Sequence, residues 1–155
     1  MADEPDAPIQ PSFAALPVGH RFAPATFSVD EAALGAYLQA VDDAQPHYGP
    51  AGPRVDGRVI VPPVAVAAFA LKRLAGDLAL QPGAVHMGQD YEFHSPVYTD
   101  QQLVADSRVV TRSRRRGMVI LIVEQDVRRG SDTVLTGRST LGVPEDASPR
   151  PDAGL

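Results

Sequence analysis

From Val64 to Leu80 the chain places Val, Ala and Leu on nearly every side of a helical wheel, with charge only at Lys72, Arg73 and Asp77 near the far end. A helix that is apolar all round has to be covered all round, so this segment predicts a buried helix with other elements wrapped about it. Its start is expected at Pro63, because proline is tolerated in a first helical turn where its missing N–H would have had no partner. Ala65, Ala67, Ala68 and Ala70 would let neighbouring elements approach the axis closely, and Phe69 is expected in the core.

The wrapping follows downstream. After Pro82-Gly83 the pattern changes to β-branched runs of period two over Val85–Phe93, Leu103–Arg112, Met118–Arg128 and Thr133–Val143, which read as four strands. Ser113–Gly117 and Arg129–Asp132 have the lengths and Gly or polar residues of hairpin turns. Upstream, a short strand near Phe22–Ser28 precedes a capping-box pattern, Ser28 followed by Glu31, and a helix from about Asp30 to Val41. Pro46, Gly49, Pro50, Gly52 and Pro53 then enforce an irregular loop. One antiparallel sheet curved around one central helix is the economical way to cover that helix, which gives an α+β class.

At 155 residues the chain fits one domain. Residues 16–143 are expected to hold it, with an acidic, proline-bearing disordered tail over 1–15 and another over 144–155. The sequence has no cysteine, which excludes disulfides, thiolate metal sites and cysteine nucleophiles and suits a reducing cytoplasm. The longest apolar run, Val59–Ala70, is too short to span a bilayer and is broken by Pro62 and Pro63, and the N-terminus carries acids where a signal peptide carries bases. A formal charge of -5 argues against a general nucleic-acid binder, whose affinity rests on neutralising phosphates.

Two segments carry a family resemblance. In Phe93-His94-Ser95-Pro96-Val97-Tyr98-Thr99-Asp100-Gln101-Gln102-Leu103 an aromatic strand ends at a proline and turns into the next strand, with Thr99 where a glycine is usual before the aspartate. From Tyr37 to Ala65, a helix ending in Asp42-Asp43 leads through Gln45-Pro46 to Val61-Pro62-Pro63. The chain thereby resembles the MaoC-like acyl-thioester dehydratases and hydratases, which have the hot-dog fold, and is closest in feel to their N-terminal-type or non-catalytic halves. The second segment is similar to the family's Asp-x-Asn-Pro-x-His motif and to the Ala-Pro-Pro helix entrance of those halves.

The resemblance implies a hot-dog fold, no cofactor, and a 3-hydroxyacyl or 2-enoyl thioester of coenzyme A or a carrier protein as substrate. It also implies a dimer, with a second copy or with another hot-dog subunit. Two registers of the motif stay open. Matching Gln45-Pro46 to Asn-Pro keeps Asp43 and puts Tyr48 where the histidine belongs, whereas matching His47 to the histidine keeps Asp42 and gives up the Asn-Pro match. A tyrosine with a pKa of about 10 is a poor base at neutral pH, so the first register lacks the usual proton acceptor. Asp42, Asp43 and His47 are therefore the catalytic candidates, and Tyr48, Pro62, Pro63, Val64 and Ala65 the substrate-binding ones. Three readings follow: a dehydratase or hydratase, a non-catalytic subunit that shapes an acyl tunnel, and a cyclase that keeps the cavity without the dyad.

The remaining polar clusters read more plainly. His86 and His94, eight residues apart on one strand, are expected on one face of the sheet, with no third ligand in sight for a metal; His20 has no partner visible in sequence. Arg112, Arg114, Arg115 and Arg116 gather at one hairpin and Arg128 and Arg129 at the other end of a strand. They read as solvated turn residues first and as contacts to coenzyme A phosphates second.

Overall fold

The structure is a computed structural model that describes residues 13–77 and 82–145. The chain runs through a short 3-10 turn (Phe13–Ala15), β1 (Ala25–Phe27), α1 (Glu31–Ala40), a 3-10 turn (Pro46–Tyr48), β2 (Arg54–Val55), β3 (Arg58–Val61) and α2 (Pro63–Asp77). β4 (Val85–Phe93), β5 (Val97–Tyr98), β6 (Leu103–Arg115), β7 (Met118–Arg129) and β8 (Asp132–Pro144) complete it. Five strands form an antiparallel sheet in the order β1-β6-β7-β8-β4, and β2-β3-β5 form a small second sheet. This is the hot-dog arrangement of a curved sheet against a central helix. Among the described residues no helix is long and apolar enough to cross a membrane.

The period-two runs become strands as expected, because alternate residues on β7 (Val119, Leu121, Val123, Gln125 and Val127) turn inward and are buried. Arg116 and Gly117, with φ of 51° and 76°, make the two-residue turn between β6 and β7, the backbone twist that a tight hairpin needs. Three extra residues interrupt the ladders and bend the sheet: Met87 in β4, Val110 in β6 and Val134 in β8. The bulge at Met87 also changes parity. His86 pairs with Leu141 and Glu92 with Thr136, so His86 and His94 fall on opposite faces instead of sharing one.

α2 packs through Ala65, Val66, Ala67, Ala70 and Leu74, all at most 3% exposed. The all-round burial expected for it does not hold in the single chain: Val64 is 58% exposed, Ala68 and Lys72 are exposed with it, and Leu71 and Phe69 are only partly covered. These outward positions recur every four residues, so the sheet covers one face of the helix and leaves a stripe open. The stretch expected to continue the helix through Leu80 lies outside the described residues. Gln125, buried on β7, donates to the Ala70 carbonyl at 3.2 Å and to Ser107 Oγ at 3.1 Å, which ties the helix to the sheet.

Four expectations are corrected. The cap of α1 is Asp30, whose Oδ1 accepts the Ala33 amide at 2.7 Å, and not Ser28; a carboxylate directly before the helix reaches its third amide without a detour. Residues 54–61, between the expected loop of Pro46 to Pro53 and the helix and without an expected element of their own, form a hairpin whose tight turn places Asp56 and Gly57 at φ of 49° and 77°. Val97–Tyr98 is a further strand, paired with β3, inside the segment taken as a turn. Phe13 and Ala14, assigned to the tail, are buried with Leu16, Leu74 and Val143 against one end of the sheet, and Arg112 holds them by donating to the Ala14 carbonyl at 3.0 Å. The rest of both expected tails lies outside the described residues, apart from Ala15, Pro144 and Glu145.

Thr99, at the β5–β6 turn, has a structural role of its own. Thr99 is fully buried, its amide donates to the Val59 carbonyl at 2.9 Å, and its hydroxyl accepts the Val59 amide at 3.1 Å. Thr99→Val, which keeps the shape and removes the acceptor, is expected to cost about 1–3 kcal/mol by urea unfolding, and Thr99→Ser much less.

On the outer face Arg108, Glu124 and Arg138 stand opposite one another on β6, β7 and β8 and make ion pairs of 3.0 and 2.6 Å. Hydrogen bonds from Arg138 and then Arg108 hold the Glu124 carboxyl below the usual carboxylate range. A lowered folded pKa contributes stability above the unfolded value of about 4.3, and that contribution disappears as pH falls through the folded value. The stability advantage of the wild type over Glu124→Gln is therefore expected to be present at neutral pH and to shrink on acidification, read from unfolding midpoints at a series of pH values.

Candidate functional site

The end of α1 determines where the candidate acids lie. The Asp43 amide donates back to the Leu38 carbonyl at 2.9 Å and the Asp42 amide to Gln39 at 3.3 Å, with Asp42 in the left-handed conformation at φ 54°. This double closure is a Schellman motif, and Asp42 occupies the position that usually falls to glycine or asparagine. Asp43 Oδ1 then accepts the Gln45 amide at 3.0 Å, which turns the chain into the Pro46–Tyr48 helix. The two acids opposing the helix dipole thus have local structural work to do.

His47 is exposed, and its ring meets Tyr48 edge-on at 5.6 Å between centroids. Among the described residues no hydrogen bond or ion pair joins His47 to Asp42 or Asp43. Tyr48 is half-buried and packs on the core beside Leu34, Leu38 and Val59, on the α1 side of the molecule. Gly52 is required beside it, since a Cβ there would come within 2.3 Å of the His47 carbonyl oxygen.

The entrance of α2 is a second location. Pro62 and Pro63 have no amide to offer, and the Ala65 and Val66 amides both donate to the Pro62 carbonyl, at 2.9 and 3.2 Å. Of the first turn only the Val64 amide has no backbone acceptor among the described residues. Beside this entrance lies an apolar cleft between Pro63 and Val66 of α2, Phe93 at the end of β4, Val97 of β5 and Val134 of β8. The β8 bulge turns Val134 inward toward it. Ser95 also lines the cleft, and its hydroxyl oxygen is buried with no hydrogen-bond partner among the described residues.

Of the residues expected from sequence, Pro63 lines this cleft; Asp42, Asp43, His47 and Tyr48 do not. Ser95 and Phe93 are not among the site residues that the sequence pattern points to, although both stand in the segment that carries the resemblance. The signal available was the strand end at Pro96, where a side chain leaves the ladder.

The other clusters stay on the surface. His86 Nε2 lies 3.1 Å from Gln89 Oε1 and His94 Nε2 lies 3.2 Å from Thr136 Oγ1, and among the described residues no group of three ligating side chains could hold a metal. Arg114 pairs with Glu145 and Arg128 with Asp106, while Arg129 donates to the Pro96 carbonyl at 2.8 Å and to Gln101 Oε1 at 3.1 Å. An open groove on the outer face, between Asp90, Glu92, Arg108 and Asp126, carries charge of both signs. Tyr91, half-buried at its margin, has its phenol pKa raised by burial.

Comparisons place these features in a family. A sequence model described as "FAS1-like, dehydratase domain region" matches residues 17–135. No curated protein matches. Among solved structures, an (R)-hydratase from A. caviae involved in PHA biosynthesis superposes with a TM-score of 0.69 at 21% identity, covering 84% of this chain and 98% of that one. A MaoC-like dehydratase from Rhodospirillum rubrum does so with 0.69 at 21%, covering 86% and 96%. The HadBC (3R-hydroxyacyl-ACP dehydratase) complex from Mycobacterium tuberculosis gives 0.66 at 20%, covering 81% and 96%. With the family model spanning most of the chain and the hot-dog fold shared throughout, the chain belongs to the FAS1-like dehydratase-region family of MaoC-like proteins.

Proposed function

We propose that the chain is an acyl-thioester-binding subunit of a hot-dog dehydratase or hydratase, lending the apolar cleft at α2 while a second hot-dog subunit supplies proton transfer. One observation carries this reading: the chain's titratable candidates are separated from its cleft. Among the described residues none that lines the cleft titrates, and His47 stands in solvent without an aspartate partner. Acid–base help in adding water to an enoyl group needs a proton-transfer side chain within hydrogen-bond reach of the substrate.

The surface supports a partner. β4 is an edge of the large sheet, and Val85, Met87 and Phe93 on it are 51%, 58% and 43% exposed. An unpaired apolar edge is a template for another strand. The HadBC structure, similar in fold, is described as a complex of a 3R-hydroxyacyl-ACP dehydratase.

A second reading, a self-sufficient enzyme, is favoured by one local fact: His47 and Tyr48 both stand on the short helix that directly follows the turn made by Asp43.

The purified chain is expected to bind trans-2-octenoyl-coenzyme A in a calorimeter and to leave it unhydrated at high protein concentration. Hydration by the chain alone would sink the partner reading in favour of the second. In that case a 10²–10⁴-fold loss in His47→Ala with little change in Tyr48→Phe would assign the Asp42–His47 register. Without a partner the β4 edge is expected to pair with a second copy, so light scattering should give a dimer at micromolar concentration. Met87→Lys, which puts a charge on that edge, should shift it toward monomer. Asp42→Gly is expected to keep or slightly raise stability, because glycine adopts the left-handed conformation without penalty.

A further inference from the structure

We propose that the Ser95 hydroxyl anchors the ligand of the α2 cleft by hydrogen-bonding the carbonyl oxygen of a bound acyl group, an assignment that rests on the acyl-thioester reading for its choice of ligand.

Three observations converge on it. Nearly all buried polar side-chain atoms in folded proteins have a partner, and Ser95 Oγ has none among the described residues, so a turn about its χ1 toward a ligand in the cleft that Ser95 lines would break no hydrogen bond described there. The cleft wall is otherwise apolar, built from Val61, Val66, Phe93, Val97, Val134 and Leu135, and in such a pocket a single polar group fixes which part of a ligand sits there. The helix entrance, the usual source of donors at such a place, is depleted: two of its residues are prolines and two of its amides are spent on Pro62.

The backbone that carries the hydroxyl is held in place. The His94 amide donates to the Val134 carbonyl at 3.0 Å on one side of it, and Arg129 grips the Pro96 carbonyl at 2.8 Å on the other. With the backbone fixed on both sides, only the short Ser95 side chain has to be ordered when a ligand arrives.

The same wall limits the chemistry of the ligand. Among the described residues no charged one lines the cleft, so a carboxylate or phosphate seated there would be desolvated without a counter-ion, at a large cost. A neutral carbonyl flanked by alkyl chain fits: it asks for one donor and tolerates apolar surroundings. Thioester, ester and amide carbonyls share that chemistry, and the thioester is the member the family reading selects.

The test compares two probes on the full chain by titration calorimetry: octanoyl-coenzyme A, and S-octyl-coenzyme A, a thioether of the same length with no carbonyl. The wild type is expected to prefer the thioester by about 3–10-fold, the range one neutral hydrogen bond provides. Ser95→Ala should abolish the preference by weakening the thioester alone. Ser95→Thr, which keeps the hydroxyl before Pro96, should retain it. The ligand-free Tm of Ser95→Ala should stay level or rise, since the hydroxyl makes no bond among the described residues.

An unchanged preference in Ser95→Ala, a wild type that binds neither probe or does not distinguish them, or a fall in the ligand-free Tm of Ser95→Ala would overturn the assignment. Turnover of the enoyl thioester is read separately. A chain that hydrates it unaided refutes the partner reading and leaves the Ser95 result standing, and a lost Ser95 effect leaves the partner reading intact.

Discussion

Ala65, Ala67 and Ala70 present almost no side chain to the sheet, so the backbone of α2 lies near enough for Gln125 to reach the Ala70 carbonyl from β7. A bulkier face would hold the strands off and open a gap that no nearby side chain could fill. With the helix seated this closely, the sheet bends around it, and the bulges at Met87, Val110 and Val134 are the places where the ladder yields. Small residues recur where the strands pass near a neighbour: Gly137 leaves room for the Tyr91 ring, which a Cβ would meet at 3.0 Å.

The cleft is a consequence of that packing. The helix begins at a pair of prolines, β4 ends at Phe93, and the chain crosses to β5 through Ser95 and Pro96, so three element ends meet above Val66 and Val134. Backbone ladders stop at such a junction, and polar atoms there must find partners singly. Most do: Thr99 serves Val59, and Arg129 serves Pro96. The Ser95 hydroxyl is the one side-chain oxygen at this junction that stays buried and unsatisfied among the described residues.

The segment after α1 has a different logic. A Schellman closure needs the residue after its C-cap in the left-handed region, and an aspartate tolerates that conformation better than most side chains do. Asp43 spends one carboxylate oxygen on Gln45, and Tyr48 spends its ring on covering Leu34, Leu38 and Val59. Local geometry alone therefore gives these residues roles, and their similarity to a proton-transfer motif does not require that they transfer protons.

The sequence by itself determined the class of fold and most of its elements. The period of two over β4 and β6 to β8, the turn residues between them, and Pro63 at the head of an alanine-rich helix are local signals, written in consecutive residues and independent of what they pack against. What it could not decide was whatever depends on a neighbour far along the chain. The outward stripe on α2, the parity of His86 and His94 across a bulge, the burial of Phe13 and Ala14 against the far end of the sheet, and the strand pairing of Val97 with Val61 are set by contacts between distant residues. The site belongs with these: Ser95 reads in sequence as a polar residue before a proline. Only the meeting of α2, β4, β5 and β8 encloses its hydroxyl in an apolar wall, because burial is a property of the assembled surface and not of the residue.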